Sequence, residues 1–313
     1  MSELRRLGRS FVRAVRMRRL SPSVLKKGVD VLKASLLSRP SLSKALPVAV
    51  VFLVSAAPSA VAAAQHDREA VVKLVTQIQK ADYETDRAAL HRLTRELAPF
   101  ASTKELASRV QYWRGFALWR SAINGFNDKA GKQELQEDLS QAVEALDKSV
   151  SADPAFVDSK IGMASCLGIL AFSLETDSPQ QQEHLQRMRQ VLKEARAAAP
   201  DNPRLLWILG PVYWNIPADR GGGQDKAIET YLKGLEIMRA GKNAASDPLD
   251  PSWGEPELLM SLAWSRLNSA TPDLKAAEQN AISALQIVPY WHYVRDILMQ
   301  QIHDAKAKQG ANG

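Results

Sequence analysis

The sequence contains few of the residues that build covalent frameworks and metal sites. Cys166 is the single cysteine among 313 residues, which excludes an internal disulfide and any cysteine-rich metal site. None of the five histidines shows a ligand spacing such as H-x3-H or HExxH. We therefore predict no metal and no cofactor, and we expect Cys166 to be a small, buried, apolar residue.

Positive charge is scarce outside the N-terminal part of the chain. Residues 1–64 carry twelve Lys or Arg and two Asp or Glu, a net charge of +10, whereas the whole chain has a net charge of +7. Residues 65–313 therefore sum to −3, and the calculated pI of about 9.4 describes the leader. Nucleic-acid binding requires basic charge clustered on the folded domain. The sequence shows no such cluster after residue 65, so we predict no nucleic-acid partner.

The leader has the order of a secretory signal peptide. Its basic part is followed by an apolar run from Leu46 to Ala57 and then by small residues that include Ala62-Ala63-Ala64. We predict export by the general route to the periplasm or the medium, with cleavage between Ala64 and Gln65.

Two alternatives to a cleaved leader remain open. The basic part is longer than usual, so translation could begin at Met17 or later. The segment 46–64 could also stay uncut and anchor the protein in the inner membrane, although the run is short for a spanning helix. In that case the leader would be the protein's one contact with the membrane.

Helical periodicity dominates after the leader, and alternating strand patterns are nearly absent. Apolar residues recur at spacings of three and four in two successive stretches, which are Val71, Leu74, Val75 and Ile78, and then Ala89, Leu93 and Leu97. We therefore predict an N-terminal helical pair over residues 65–100.

The stretch from Pro200 to Leu235 defines a repeating unit. A helical pattern runs from Pro203 to about Asn215, a loop with three glycines follows, and a second helical pattern runs from Gln224 to about Arg239. Each helix is apolar on one side only, so the pair needs neighbouring pairs to bury that side.

The same spacing recurs in the second helix of other predicted pairs. Small or apolar residues spaced four and three are followed five positions later by proline, at Ala142, Leu146, Ser149 and Pro154, at Met188, Leu192, Ala195 and Pro200, and at Ala277, Ala281, Ala284 and Pro289. Proline ends one helix and starts the next turn. The unit at Ala227 matches except that Arg239 stands where proline is expected.

These motifs resemble the tetratricopeptide repeat (TPR) family. The resemblance rests on Leu209-Gly210 with Tyr213, on Ala227, Tyr231 and Gly234, and on the recurring prolines, and it covers about Arg109 to Asp304. It implies an all-α solenoid, a superhelix of antiparallel helix pairs over residues 101–304, ending in a helix from Tyr293 to Asp304. We predict a disordered tail over residues 305–313.

The repeats are longer than those of the family. The small residues Gly115, Ala164, Gly210 and Ala263 lie 49, 46 and 53 positions apart, against a family period of about 34. We expect the excess to fall mainly between the two helices of a pair, for example at 124–134 and 177–183, as longer loops or longer helices.

The resemblance also implies a binding surface. In TPR folds the first helix of each pair lines the concave face, which places these residues of the present sequence in a groove: Arg109, Tyr112, Trp119, Arg120, Arg204, Trp207, Trp214, Asn215, Trp264 and Asn268. Aromatic residues and Arg are enriched at binding hot spots. The competing interpretation is that the rings fill the interior of a tightly curled superhelix or pack under the N-terminal helices.

We predict a scaffold that binds a protein or peptide partner in this groove. The alternative is a solute-binding accessory component of a transporter, because the loop from Pro217 to Gly223 is similar to loops of periplasmic repeat proteins that include TRAP-type components. A small organic solute would then lie among the groove tryptophans.

We do not predict an enzyme. The glycines at 221–223 lack the Lys-Ser/Thr of a phosphate loop. The acidic residues at 134, 137, 138, 144 and 147 have the helical spacing of a solvated face. The sequence alone assembles no Ser-His-Asp, Cys-His or metal site.

Overall fold

The computed structural model describes residues 57–241 and 245–311, and over these ranges the regular structure is entirely helical. The helices are α1 (Ala57–Tyr83), α2 (Arg87–Leu97), α3 (Ala107–Asn127), α4 (Lys132–Ala152), α5 (Val157–Ser173), α6 (Pro179–Ala198), α7 (Pro203–Asn215), α8 (Gln224–Arg239), α9 (Glu255–Asn268), α10 (Leu274–Ile287) and α11 (Met299–Ala311). Short 3₁₀-helices cover Ala98–Ser102 and Ala218–Arg220, and a π-helix covers Tyr293–Leu298.

Consecutive helices pack in pairs, which confirms the predicted all-α solenoid. The pairs are α1 with α2, α3 with α4, α5 with α6, α7 with α8, and α9 with α10. The first helices α3, α5, α7 and α9 also contact one another in sequence, so they form one continuous layer. The bounds of α7 and α8 are those that the periodicity predicts.

The helix starts follow from capping residues in the sequence. The side chain of Asn202 accepts hydrogen bonds from the backbone N–H groups of Arg204 and Leu205, and Pro203 occupies the first turn of α7. The side chain of Ser178 caps α6 in the same way, ahead of Pro179. An N-cap oxygen satisfies backbone donors that the first helical turn leaves free, so these residues fix where each helix begins.

The small residues of the repeat allow close packing within a pair. A Cβ atom added to Gly210 would lie 2.0 Å from the Tyr231 ring. A Cβ atom added to Gly115 would lie 2.6 Å from Leu146. Both contacts join the first helix of a pair to its second helix, so the glycine that carries the repeat motif is required where the two backbones approach most closely.

The long repeat spacing has two structural causes. Helices α3 and α4 have 21 residues each, and only residues 128–131 separate them, so the first unit is lengthened by its helices. The third and fourth units are instead separated by a connection from Ala240 to Gly254, which lies between pairs. The expectation that the excess falls within pairs is therefore wrong for this spacing.

The C-terminal end of the chain also differs from the prediction. The sequence predicts disorder from residue 305, whereas α11 continues to Ala311. Residues 305–309 include alanines, lysines and a glutamine, which favour helix, and these propensities outweigh the polarity of the segment.

The leader prediction rests mainly on residues outside the described ranges. Of the predicted cleavage site, Ala64 and Gln65 lie within α1. Among the helices that the structure describes, none combines the length and the apolar character needed to cross a membrane.

Candidate functional site

The layer of first helices presents an aromatic cluster on its inner side. Tyr112, Trp113, Phe116 and Trp119 of α3 are almost completely buried. Successive rings meet edge to face, with centroids 5.0 Å apart for Trp113 and Phe116 and 6.0 Å apart for Phe116 and Trp119. We call the side of α3, α5, α7 and α9 that carries these rings the inner face.

The chain's own segment Asp247–Trp253 lies on this inner face, and we call it the inner segment. The indole Nε1 of Trp113 donates a hydrogen bond to the carbonyl oxygen of Leu249 at 2.8 Å. The Leu249 side chain is 1% exposed. An apolar side chain of the connection thus belongs to the main core.

Trp253 is the buried aromatic residue of the inner segment. Its ring centroid lies 5.6 Å from that of Phe116, 5.8 Å from that of Trp119 and 5.5 Å from that of Trp207. Its Nε1 donates to the hydroxyl of Tyr112 at 2.9 Å. The ring is therefore enclosed by aromatic groups from α3 and α7, and its one polar atom has a partner.

Charged groups hold the inner segment at its edges. The guanidinium of Arg109 bonds Asp250 at 2.7 Å and Asp153 at 2.8 Å. Arg68 of α1 forms an ion pair with Asp247. These pairs are partly exposed, so each contributes less than a fully buried pair of the same geometry.

Two further charge clusters are buried. Arg204 bonds Asp158 through two nitrogens, at 2.5 and 3.1 Å. Arg120 bonds Asp82 at 2.7 Å, and Glu257 lies 3.9 Å away. Complete burial raises the pKa of Glu257, and the nearby Arg120 opposes that shift.

The structure therefore places four of the ten predicted groove residues in the interior and leaves Arg109 partly exposed. Tyr112, Trp119, Arg120 and Arg204 are buried, and Arg109 is engaged by two carboxylates. The groove expected at this position is filled by the inner segment and by α1. Whether these residues bind a partner stays a prediction.

The other predicted residues surround a part of the inner face that is accessible. Trp207, Trp214, Asn215 and Trp264 are partly exposed, and Asn268 is exposed. The rings of Trp214 and Trp264 meet edge to face with centroids 5.1 Å apart. The structure thus brings these residues of α7 and α9 together at one end of the layer.

A cleft of about 280 Å³ lies next to this group. Side chains of α3, α5, α6 and α7 line it, among them Ile123, Ile169, Met188, Trp207 and Asn215. The remaining lining residues are apolar or small, and no charged residue among the described ones lines the cavity. We call this cavity the α5–α7 cleft.

Trp207 joins the two parts of the inner face. Its ring contacts Trp119 and Trp253, and the residue also lines the α5–α7 cleft. Its Nε1 donates to Ser261 of α9 at 3.0 Å. A ligand in the cleft would therefore contact a ring whose position is fixed by the buried cluster.

The fold also assembles a Ser-His-Asp group that the sequence did not reveal. Ser121 Oγ lies 3.1 Å from His91 Nε2 and donates to Asp138 Oδ2 at 2.8 Å. In a catalytic relay the carboxylate bonds the other imidazole nitrogen and the serine proton is directed at the histidine. Here both partners approach Nε2, and Ser121 is fully buried, so the group joins α2, α3 and α4 structurally.

This network corrects the expectation that all the acidic residues of α4 face solvent. Asp138 is buried, and Arg87, His91 and Ser121 contact its carboxylate. Burial alone would raise the pKa of Asp138, but the hydrogen bonds from His91 and Ser121 outweigh it and lower that pKa. Within the described ranges, no group of three or more His, Cys, Asp or Glu residues is placed to hold a metal ion.

Neither a protein-family model nor a curated protein sequence matches the chain. The chain is similar to the crystal structure of TTC0263, a thermophilic TPR protein in Thermus thermophilus, with 19% identity, 71% of this chain and 99% of that chain covered, and a TM-score of 0.40. The helix pairs of the chain itself define its class, which is an all-α helical-repeat protein.

Proposed function

We propose that the protein is a non-catalytic interaction scaffold that binds a protein partner at the α5–α7 cleft. Stacked helix pairs form a stiff surface, because each pair is supported by its neighbours. Binding at such a surface depends on a few large side chains of one molecule that fill pockets on the other. The cleft supplies the pocket, and Trp207, Trp214, Asn215, Trp264 and Asn268 supply its surroundings.

The single observation that carries this proposal is the accessible, uncharged cleft beside the tryptophans. Burying apolar surface contributes about 25 cal/mol for each Å² removed from water. A partner side chain that enters the cleft removes apolar surface on both molecules. The partly exposed Trp214 and Trp264 extend the apolar surface past the cleft, and Asn215 and Asn268 add polar groups at its edge.

Photo-crosslinking tests this site directly. A photoreactive residue replaces Ile169, which lines the cleft, or Ile282, which is exposed on α10. We expect one defined protein to be crosslinked from position 169 in cells that express the chain, and the same protein to be absent from the position 282 sample. Equal crosslinking from both positions would contradict the site.

A variant that fills the cleft and a control variant at the surface provide a matched pair. Ser165→Phe adds a ring at a partly exposed lining position, whereas Leu232→Ser changes an exposed residue of α8. We expect Ser165→Phe to abolish the crosslink and Leu232→Ser to preserve it, with unchanged helical circular dichroism in both. The double variant Trp207→Ala/Trp214→Ala should also lose the partner, and its full retention would place binding elsewhere.

A second candidate function, solute binding as an accessory of a transporter, is favoured by the lining of the cleft, which is apolar with a few polar groups. Small-molecule pockets begin at about 300 Å³ and are mainly apolar with a few polar groups. Because no charged residue among the described ones lines the cleft, the solute would be neutral. Titration with octanol should change the fluorescence of the wild type and leave that of Ser165→Phe unchanged. A flat titration in both proteins favours the scaffold.

Export is part of the proposal and rests on the order of the leader residues. A fusion of residues 1–70 to a phosphatase that is active only outside the cytoplasm tests it. We expect activity from this fusion and none from a fusion that lacks the apolar run 46–57. Mass spectrometry of the exported protein then decides between cleavage after Ala64 and retention as an anchor.

A further inference from the structure

We propose that the α5–α7 cleft binds a small neutral molecule with an apolar body and a hydroxyl group, and that the backbone carbonyl of Trp207 accepts a hydrogen bond from that hydroxyl. The proposed solute rests on the second candidate function, solute binding at the cleft. Its chemistry follows from a break in the hydrogen bonding of α7, which forms one wall of the cleft.

Pro211 lies in the interior of α7, well past the first turn of the helix. A proline has no backbone N–H, so the carbonyl oxygen of Trp207, four residues earlier, has no helical donor. Proline is the most destabilising residue in a helix interior, and positions that break a local rule of this kind are expected at functional sites. The α7 wall therefore contains a backbone acceptor that the helix itself does not use.

The free carbonyl lies on the side of α7 that faces the cleft. Trp207, Pro211 and Asn215 all line the cleft, at intervals of four residues along one side of the helix. A helical carbonyl points along the axis toward the residue four positions later. The oxygen of Trp207 is therefore directed at Pro211, between two residues of the cleft wall, and Pro211 itself is exposed.

Two side chains complete the polar part of the lining. The Nδ2 of Asn215 donates to the carbonyl of Pro211 at 2.8 Å, which leaves its Oδ1 as an acceptor. The hydroxyl of Ser165, on the α5 wall, has no hydrogen-bond partner among the described residues. The α7 wall thus presents two acceptors, the carbonyl of Trp207 and the amide oxygen of Asn215.

These groups define what can replace water in the cleft. No charged residue among the described ones lines it, so an ionised ligand would lose its hydration without gaining a counter-charge. A molecule without a donor would leave the carbonyl of Trp207 unpaired, which is unfavourable in a site closed to water. A hydroxyl supplies the donor at small size, and the apolar body then contacts Ile123, Ile169 and Met188.

Two isomeric ligands test the donor. Octanol carries an O–H group, whereas heptyl methyl ether has the same atoms and can only accept hydrogen bonds. Each is titrated into the full chain while tryptophan fluorescence is recorded, because Trp207 lines the cleft. We expect octanol to bind about threefold to tenfold tighter, which is the effect of one net hydrogen bond. A cleft without this contact would prefer the ether, because burying an unpaired hydroxyl is unfavourable.

Pro211→Ala tests the carbonyl itself. Alanine restores the backbone N–H at position 211, so the helix can use the carbonyl of Trp207. We expect the preference for octanol to disappear, with the ether affinity unchanged within about threefold and a raised unfolding temperature. Val212→Ala is the matched control, because it shortens a neighbouring lining side chain and keeps every backbone hydrogen bond. It should weaken both isomers equally and preserve the preference.

Equal binding of the two isomers to the wild type, or tighter binding of the ether, would overturn the proposed hydroxyl and leave the cleft as an apolar site. A preference for octanol that survives Pro211→Ala, with native helical circular dichroism, would overturn the role of the carbonyl. If that variant does not fold, the wild-type comparison decides alone. If neither isomer binds, the solute is wrong, whereas the partner protein is tested separately by crosslinking from position 169.

Discussion

The two ends of the inner face differ in what covers them, although both are made from first helices of the same repeat. Around Tyr112 and Trp119 the face is covered by α1 and the inner segment, and its aromatic rings are buried. Around Trp214 and Trp264 the same layer is partly exposed and adjoins the α5–α7 cleft. The comparison shows that one tryptophan pattern is buried at one end of the layer and partly exposed at the other, where we propose that a partner binds.

The physical difference lies in the covering chain. Each first helix carries an apolar inner side, and a repeat array leaves that side open unless another segment covers it. Here Val71, Val75 and Ile78 of α1 and Leu249 and Trp253 of the connection bury the inner side of the first pairs. Within the described ranges, no segment of the chain buries Trp214 and Trp264 in this way, and both rings are partly exposed.

The largest effect that tests this comparison is on stability. Trp253→Ala should lower the free energy of unfolding by about 3–5 kcal/mol, because a buried ring leaves a cavity among Phe116, Trp119 and Trp207. Trp264→Ala, at a partly exposed ring, should cost less than about 2 kcal/mol. Urea denaturation of both variants measures the difference. Equal losses would mean that the two ends are equally buried in solution.

The second-largest effect compares the loss of stability on breaking a buried ion pair and a partly exposed ion pair at the covered end. Arg204→Ala leaves Asp158 buried without its partner, and we expect a loss of about 3 kcal/mol. Arg109→Ala breaks pairs that are about a quarter to a third exposed, and we expect a loss of about 1 kcal/mol or less. The same denaturation measurements compare the two. A larger loss for Arg109→Ala would show that the rim, not the interior, holds the segment.

Two glycines distinguish the packed side of the repeat from the cleft. Gly210→Ala places a Cβ atom against the Tyr231 ring, so we expect a loss of about 1–3 kcal/mol. Gly168→Ala meets only the flexible Met188 side chain at 3.2 Å on the cleft side. Its higher helix propensity should offset that contact, giving a change within about 1 kcal/mol. Thermal unfolding decides, and a severe loss for Gly168→Ala would show that the cleft is closed.

The smallest effect concerns His91 of α2, which contacts Asp138 of α4. Hydrogen bonding to Asp138 raises the pKa of His91, and burial opposes that shift. Because the folded pKa exceeds the unfolded value of about 6.5, the His91 contribution is complete below that value and is lost as pH rises through the folded pKa. The stability difference between wild type and His91→Ala should therefore be larger near pH 5.5 than near pH 8, by less than about 1 kcal/mol. A difference that grows with pH would contradict the charged pair.

Local pattern was sufficient to predict the repeat pairs. The apolar periodicity and the proline punctuation predicted α7 as Pro203 to about Asn215 and α8 as Gln224 to about Arg239. The structure has these bounds, because capping by Asn202 and the close approach at Gly210 depend on neighbours in sequence or on one facing helix. The inner segment was missed, since a stretch with two prolines and no periodicity carries no structural signal of its own. Arg239 in place of proline, followed by a tryptophan within a polar connection, was the available hint.

The Ser121–His91–Asp138 group was missed for a related reason. Its members lie on three helices, and only the packing of α2, α3 and α4 brings them together. A sequence pattern cannot choose such partners, because many serines and carboxylates would fit equally well. The structure also shows that the contact is not arranged as a catalytic relay.

The sequence by itself determined that paired helices form and stack, because each helix is apolar along one side and its caps and small residues are encoded locally. Only the tertiary structure decided which part of the shared inner side is covered. That choice depends on where α1 and the Ala240–Gly254 connection lie, and contacts between residues more than a hundred positions apart, such as Trp113 with Leu249, set their positions.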